Sequence, residues 1–156
     1  MELRTDKIRA CFDRKIGNFT ELWNLSTNTN YVRCAPRDPL IELYGLKNGE
    51  RVKLSGHISD EAEAPDALIL SYDSFGEYDI SAKVTCRCEQ DRLVFSAEIC
   101  NHSTIDVTEI LMPHLGGIYL GNGQKDYLIY PHHAGDKTED PVYNYAENRL
   151  TFWRGC

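Results

Sequence analysis

The residues best equipped for chemistry gather in the last third of the chain. Pro131-His132-His133-Ala134-Gly135-Asp136 sets two imidazoles and a carboxylate close together. Adjacent residues of a strand point to opposite faces, so His132 and His133 serve one site only where the backbone leaves strand geometry, which Gly135 permits. With His114 joining from the strand before, three imidazoles and Asp136 would make a zinc- or nickel-type ligand set. The spacing does not call for one, because neither H-x-x-x-H nor H-E-x-x-H is present. Loop histidines that hydrogen-bond backbone or sugar hydroxyls are the more ordinary outcome. The expectation is no metal and no cofactor.

Glycoside hydrolysis uses two carboxylates about 5–10 Å apart across the scissile bond. Asp126, Asp136, Glu139 and Asp140 stand in the right part of the chain, but capping a turn is the commoner role of each. No catalytic residue is assigned. Sugar binding needs less. An aromatic ring covers the apolar face of a pyranose while polar neighbours take its hydroxyls. Tyr127, Tyr130, Tyr143, Tyr145 and Trp153 crowd this region, although alternation along strands would bury about half of such rings. Carbohydrate contacts are therefore expected at Tyr130, His132, His133, Asp136 and Trp153, with Trp23 and Phe95 in the core. No Ser-His-Asp context, nucleophile elbow or phosphate-cradling loop is present, and Gly121-Asn122-Gly123 precedes no helix.

The elements that must position these residues are strands. From Tyr78 to Cys88, apolar residues and cysteines alternate with Asp79, Ser81, Lys83, Thr85 and Arg87, the period of a half-buried strand. Glu89-Gln90-Asp91-Arg92 suits a short hairpin turn, and Leu93, Phe95, Ala97 and Ile99 alternate on the return. Ile105 to Pro113 carries apolar residues on both faces, which predicts a strand covered on both sides. Upstream, Leu3 to Phe12, Phe19 to Leu25, Tyr31 to Cys34, Leu40 to Tyr44 (closed by Gly45), Arg51 to Ser59 and Ala67 to Ser71 read as strands. Asn48-Gly49 marks a hairpin. Asp60 to Asp66 reads as an acidic loop with some helical character. Downstream come short strands at Ile118 to Leu120 and Asp126 to Tyr130. An irregular segment from Pro131 to Tyr145 follows, then a last strand from Asn148. Many short strands with frequent turn signals and almost no helical period predict an all-β fold, an antiparallel β-sandwich.

Length and charge set bounds. A chain of 156 residues reads as one domain, able to bury about 70% of its unfolded surface without metal or disulfide. Lys and Arg number 17 against 24 Asp and Glu, a net charge of −7. That balance argues against nucleic acid and against an anionic membrane surface as partners. No apolar run approaches the roughly 20 residues of a membrane-spanning helix, and the start lacks the apolar core of a signal peptide. Cytoplasmic location is expected, with the six cysteines reduced. Asn18-Phe19-Thr20, Asn24-Leu25-Ser26 and Asn101-His102-Ser103 match the glycosylation pattern by chance on that view.

Four stretches, read together, resemble a known family: Gly17 through Leu25 to Tyr31; Leu93 to Ser103, with Asn101 ending a strand; Ile105 to Leu115, with Pro113 in the strand; and Asp126-Tyr127-Leu128-Ile129-Tyr130-Pro131 leading to Gly135. Their order resembles the N-terminal β-sandwich of glycoside hydrolase-like proteins, related in fold to galactose mutarotase. The resemblance implies a supersandwich-like fold and carbohydrate as partner. It also implies a following (β/α)₈ barrel that holds the catalytic carboxylates. The βα alternation of a barrel is absent here. The chain is then expected to be the front part, residues 1–156, of a longer putative sugar hydrolase, docking on its own missing C-terminal part or on a homodimer mate. A free-standing carbohydrate-binding module and a small epimerase-type enzyme are the alternatives. The His and Glu motifs of the epimerases cannot be placed in this sequence.

Overall fold

Every regular element among the described residues is a β-strand, and every strand pairing is antiparallel. The structure is a computed structural model that describes residues 1–34, 36–118, 127–130 and 136–139. In chain order the strands are β1 (Glu2–Arg4), β2 (Ile8–Phe12), β3 (Phe19–Asn24), β4 (Thr29–Asn30), β5 (Glu42–Lys47), β6 (Glu50–Leu54), β7 (Asp60–Ala64), β8 (Ala67–Tyr72), β9 (Ile80–Glu89), β10 (Arg92–Asn101), β11 (Asp106–Leu111), β12 (Tyr127–Tyr130) and β13 (Asp136–Glu139). The chain divides into two compact units, Met1–Tyr119 and Leu120–Cys156. The first holds three sheets, in the orders β1-β2-β3-β4, β10-β9-β8-β7 and β11-β5-β6. In the second, β12 pairs with β13. The fold is an all-β antiparallel sandwich. No helix among the described residues is long and apolar enough to cross a membrane.

Alternation builds the core of the first unit. Along β9, Ile80, Ala82, Val84, Cys86 and Cys88 are buried while Lys83 and Arg87 are exposed. Leu68, Leu70 and Tyr72 of β8 lie beside them, and Leu3, Ala10, Phe12 and Phe19 face them from the first sheet, with β1 against β8 and β9. Leu43 and Leu54 add the third sheet to the same cluster. Each such side chain contributes about 1.5–3 kcal/mol on full burial. Cys11, Cys34, Cys86, Cys88 and Cys100 are free thiols. Burial, with Cys88 adjacent, pushes the Cys86 thiol up to about 12.

The structure corrects several sequence expectations. Leu3 to Phe12 is a hairpin rather than one strand: the Thr5 hydroxyl accepts bonds from the Lys7 and Ile8 amides and folds the backbone between β1 and β2. Gly45 lies inside β5 and does not close it. A Cβ there would stand 2.8 Å from the Asp106 carbonyl oxygen, so glycine is what lets β11 approach. The acidic stretch from Asp60 is strand β7, held by register with β8 from Asp60↔Ser71 to Ala64↔Ala67. Its Glu61 and Glu63 pair with Arg14. Edge strands commonly carry such charge, which discourages pairing with other chains. β11 is an edge strand with alternating exposure, not one covered on both sides, and Ile110 is 51% exposed. The segment from Pro131, read as irregular, contains β13.

Candidate functional site

Of the five expected sugar contacts, Tyr130 and Asp136 fall in the second unit. They end β12 and begin β13, and they are Cα partners in that pair. His132, His133 and Trp153 lie outside the described residues, as do Tyr143 and Tyr145. Among the described residues no group of three His, Cys, Asp or Glu could hold a metal ion.

The first unit contains a concave feature that the sequence did not announce, a cleft of about 690 Å³. Its lining includes the apolar side chains Ile8, buried Phe19, Leu22, Leu93 and Phe95. Phe95 meets the Phe19 ring edge-on, with centroids 6.1 Å apart and planes at 80°. Trp23, Tyr31, Pro113 and Leu115 also line it. Lys7, Asn24, Ser26, Asp91 and Arg92 supply polar groups.

Each of these is placed by an identifiable local cause. Alternation along β3 turns Leu22 to the core and Trp23 to the opposite face, where register sets it across from Arg9 on β2 and Asn30 on β4. The Trp23 indole Nε1 donates to Glu21 Oε2 at 2.8 Å, and Arg9 lies 3.3 Å from the same oxygen, so the ring is fixed from below. Tyr31 is held by its amide, which donates to the Leu22 carbonyl at 2.8 Å. Asn24 Oδ1 accepts from the Ser26 and Thr27 amides, folding the turn after β3. Its Nδ2 makes a long 3.5 Å contact with the Tyr31 hydroxyl. Asp91 and Arg92 sit at the tight β9–β10 turn, where Gln90 adopts a positive φ of 54°. Lys7 Nζ is 3.8 Å from Asp91, and the Arg92 guanidinium donates to Glu89 at 3.0 Å.

The wall at Pro113 and Leu115 is anchored through the residue between them. The His114 amide donates to the Leu40 carbonyl, and its own carbonyl accepts from Asn18 Nδ2 at 2.8 Å. Asn18 is fully buried and also donates to the Asp38 carbonyl, while its Oδ1 takes the Phe19 amide. One side chain thus ties three segments together, and every polar atom it carries is used. The His114 ring reaches toward Glu42, with Nδ1 3.5 Å from Oε1. Glu42 is 2% exposed. Its oxygens accept bonds from Lys53 and from the Tyr44 hydroxyl at 3.0 Å. Burial alone would raise the Glu42 carboxyl, but the bonds from Lys53 and Tyr44 outweigh it and hold the group below its ordinary value. The same bond holds the Lys53 ammonium above its own.

A histidine and a carboxylate therefore face each other, as acid–base chemistry on a sugar would require. Both oxygens of Glu42 are occupied and the group is buried, so the carboxylate is committed to the fold, while the His114 side chain is 32% exposed. Phe95 packs against the core cluster as expected, and it also lines the cleft, because β10 is the edge strand of its sheet. The placement of Trp23 in the core is corrected: it is only partly buried and lies on the face opposite Leu22. The signal for Trp23 was present: Leu22 and Trp23 are neighbours on one strand, so one face cannot take both. No family model, no curated protein and no solved structure matches this chain.

Proposed function

We propose that this chain is a non-catalytic carbohydrate-binding β-sandwich that holds its ligand in the cleft between β3 and the β9–β10 hairpin. The observation that carries it is the lining: the partly exposed aromatic residues Tyr31 and Phe95 with polar side chains around them, and Trp23 where β3 borders the cleft. Rings take the apolar face of a pyranose, and neighbouring amide, hydroxyl and carboxylate groups bind its hydroxyls. The resemblance to the N-terminal sandwich of glycoside hydrolase-like proteins gives the same ligand class. In the accessory-domain form, the cleft would hold glycan for a hydrolase elsewhere in a longer chain. Among the described residues the large exposed apolar side chains are Leu46, Ile110 and Leu115, and Leu115 lines the cleft itself.

The test is a glycan array followed by titration calorimetry on the whole chain, with Trp23→Ala and Tyr31→Ala as variants. Binding of at least one oligosaccharide is expected, weakened about tenfold or more in each variant, a loss of ~1.4 kcal/mol, with circular dichroism unchanged. Absence of glycan binding sinks the proposal. Binding that survives both substitutions but is lost in Tyr130→Ala or Trp153→Ala moves the site to the last third of the chain.

A further inference from the structure

We infer that the ligand of this cleft is an uncharged glycan and that glycans bearing uronic acid, sialic acid or sulfate are excluded, an inference that rests on the carbohydrate reading above. The cleft contains two cations, Lys7 and Arg92, which at first sight suit an anion. Neither is unaccompanied. Lys7 Nζ lies 3.8 Å from Asp91 Oδ2, and the Arg92 guanidinium donates to Glu89 Oε2 at 3.0 Å. Asp91 lines the cleft with them and Glu89 pairs with Arg92 from outside the lining, so each cation has an anion beside it.

Recognition of carboxylate or sulfate relies on a guanidinium fork or a point ammonium open to the ligand, since charge-assisted bonds are the strong ones. Here an incoming anion would meet Asp91 beside Lys7 in the lining, and would have to compete with Glu89 for the Arg92 guanidinium. Beyond the rim, Glu21 and Glu2 flank Arg9 next to Trp23. The whole chain carries a net charge of −7, a field that repels anions at longer range. The uncharged hydrogen-bonding groups are differently placed. Asn24 Nδ2 and the Tyr31 hydroxyl share one 3.5 Å contact, too long to satisfy either. Both are therefore available to sugar hydroxyls beside the rings. Aromatic faces with neutral donors and acceptors are what an uncharged pyranose needs, and charges already paired add no preference for an ionised one.

The experiment uses pairs of oligosaccharides matched in backbone, one neutral and one carrying carboxylate or sulfate. Each is titrated into the whole chain at low and at high salt. The neutral member is expected to bind about tenfold or more tightly than its acidic partner, with an affinity that moves less than about twofold as salt rises, since ionic screening acts on charges. Asp91→Lys should shift the ratio of acidic to neutral affinity by about tenfold toward the acidic ligand, because it leaves Lys7 unpaired and reverses a neighbouring charge. The wild-type salt series does not depend on how that variant folds. Preference for the acidic member, with affinity falling as salt rises and still weakened by Trp23→Ala, overturns the charge inference and leaves the sugar reading standing. Failure of both members of every pair to bind overturns both.

Discussion

Two polar regions of the first unit adjoin the Pro113–Leu115 segment, and they are built on opposite terms. Around Glu42, polar groups are engaged within the protein: one carboxylate takes Lys53 and Tyr44, with the unpaired His114 Nδ1 3.5 Å away, and Asn18 donates twice and accepts once. In the cleft, polar groups are exposed and only loosely engaged, as in the 3.8 Å Lys7–Asp91 pair and the 3.5 Å Asn24–Tyr31 contact. A buried polar group must find its partners within the protein, because leaving it unpaired costs about 1–3 kcal/mol. An exposed one has water as an alternative and can exchange it for a ligand. The first region is where the fold spends its polar chemistry, and the second is where some is left over.

The sharpest way to break that contrast is to remove the buried anion. Glu42→Ala leaves the Lys53 and Tyr44 groups without their acceptor and opens space among buried residues. Breaking a fully buried pair costs about 3–5 kcal/mol, and Lys53, 43% exposed at its side chain, can recover some water, so about 2–3 kcal/mol is expected. Denaturant unfolding followed by fluorescence measures it. A loss under about 1 kcal/mol would mean that Glu42 does not hold the wall and that the two regions are less different than they look.

How much of this could be read from the residues depends on the range of the cause. The β9–β10 hairpin was legible because strict alternation and a polar turn are local signals, and its register, Arg92↔Glu89 to Asn101↔Ile80, follows them. Asn48-Gly49 was legible for the same reason, both residues adopting positive φ in the β5–β6 turn. The acidic β7 was misread because its residues favour neither strand nor burial, and pairing with β8 overrode that tendency. Glu42 was passed over altogether. Tyr44 stands two residues along its own strand, but Lys53 comes from the neighbouring strand and His114 from a distant segment, which no spacing in the sequence announces. The cleft failed in a third way. Phe95 packs on the core as alternation along its strand implies, but Trp23 was credited to the core on residue type, whereas strand parity sets it on the face opposite Leu22.

A smaller effect sharpens the comparison through pH. The Glu42 carboxyl is held below its ordinary value in the folded protein. Its contribution to stability is therefore fully present above the unfolded-state value, about 4.3 for Glu, and is lost as pH falls through the folded-state value. Wild type and Glu42→Gln should differ in melting temperature by a constant amount at neutral and mildly acidic pH, and the gap should close below roughly pH 4. A gap for Glu42→Gln that stays open at the lowest pH would show that the carboxylate's charge is not what the network uses.

The smallest effect belongs to the cleft itself. Lys7 and Asp91 have side chains 52% and 66% exposed, and an ion pair in that setting is worth about 0–1 kcal/mol because water competes for both charges and salt screens them. A double-mutant cycle with Lys7→Ala, Asp91→Ala and the pair of changes together should return a coupling under about 0.5 kcal/mol in stability. Any coupling present should fall further in high salt. That near-zero value follows from what the region does. A pair that contributes little to folding can still accept or donate to the hydroxyls of an uncharged ligand without cost to the fold, whereas the Glu42 network cannot give way without loosening the wall. A coupling above about 1 kcal/mol would place the Lys7–Asp91 pair with the structural network. The open cleft would then be a strut between the β1–β2 and β9–β10 turns rather than a surface held ready for sugar.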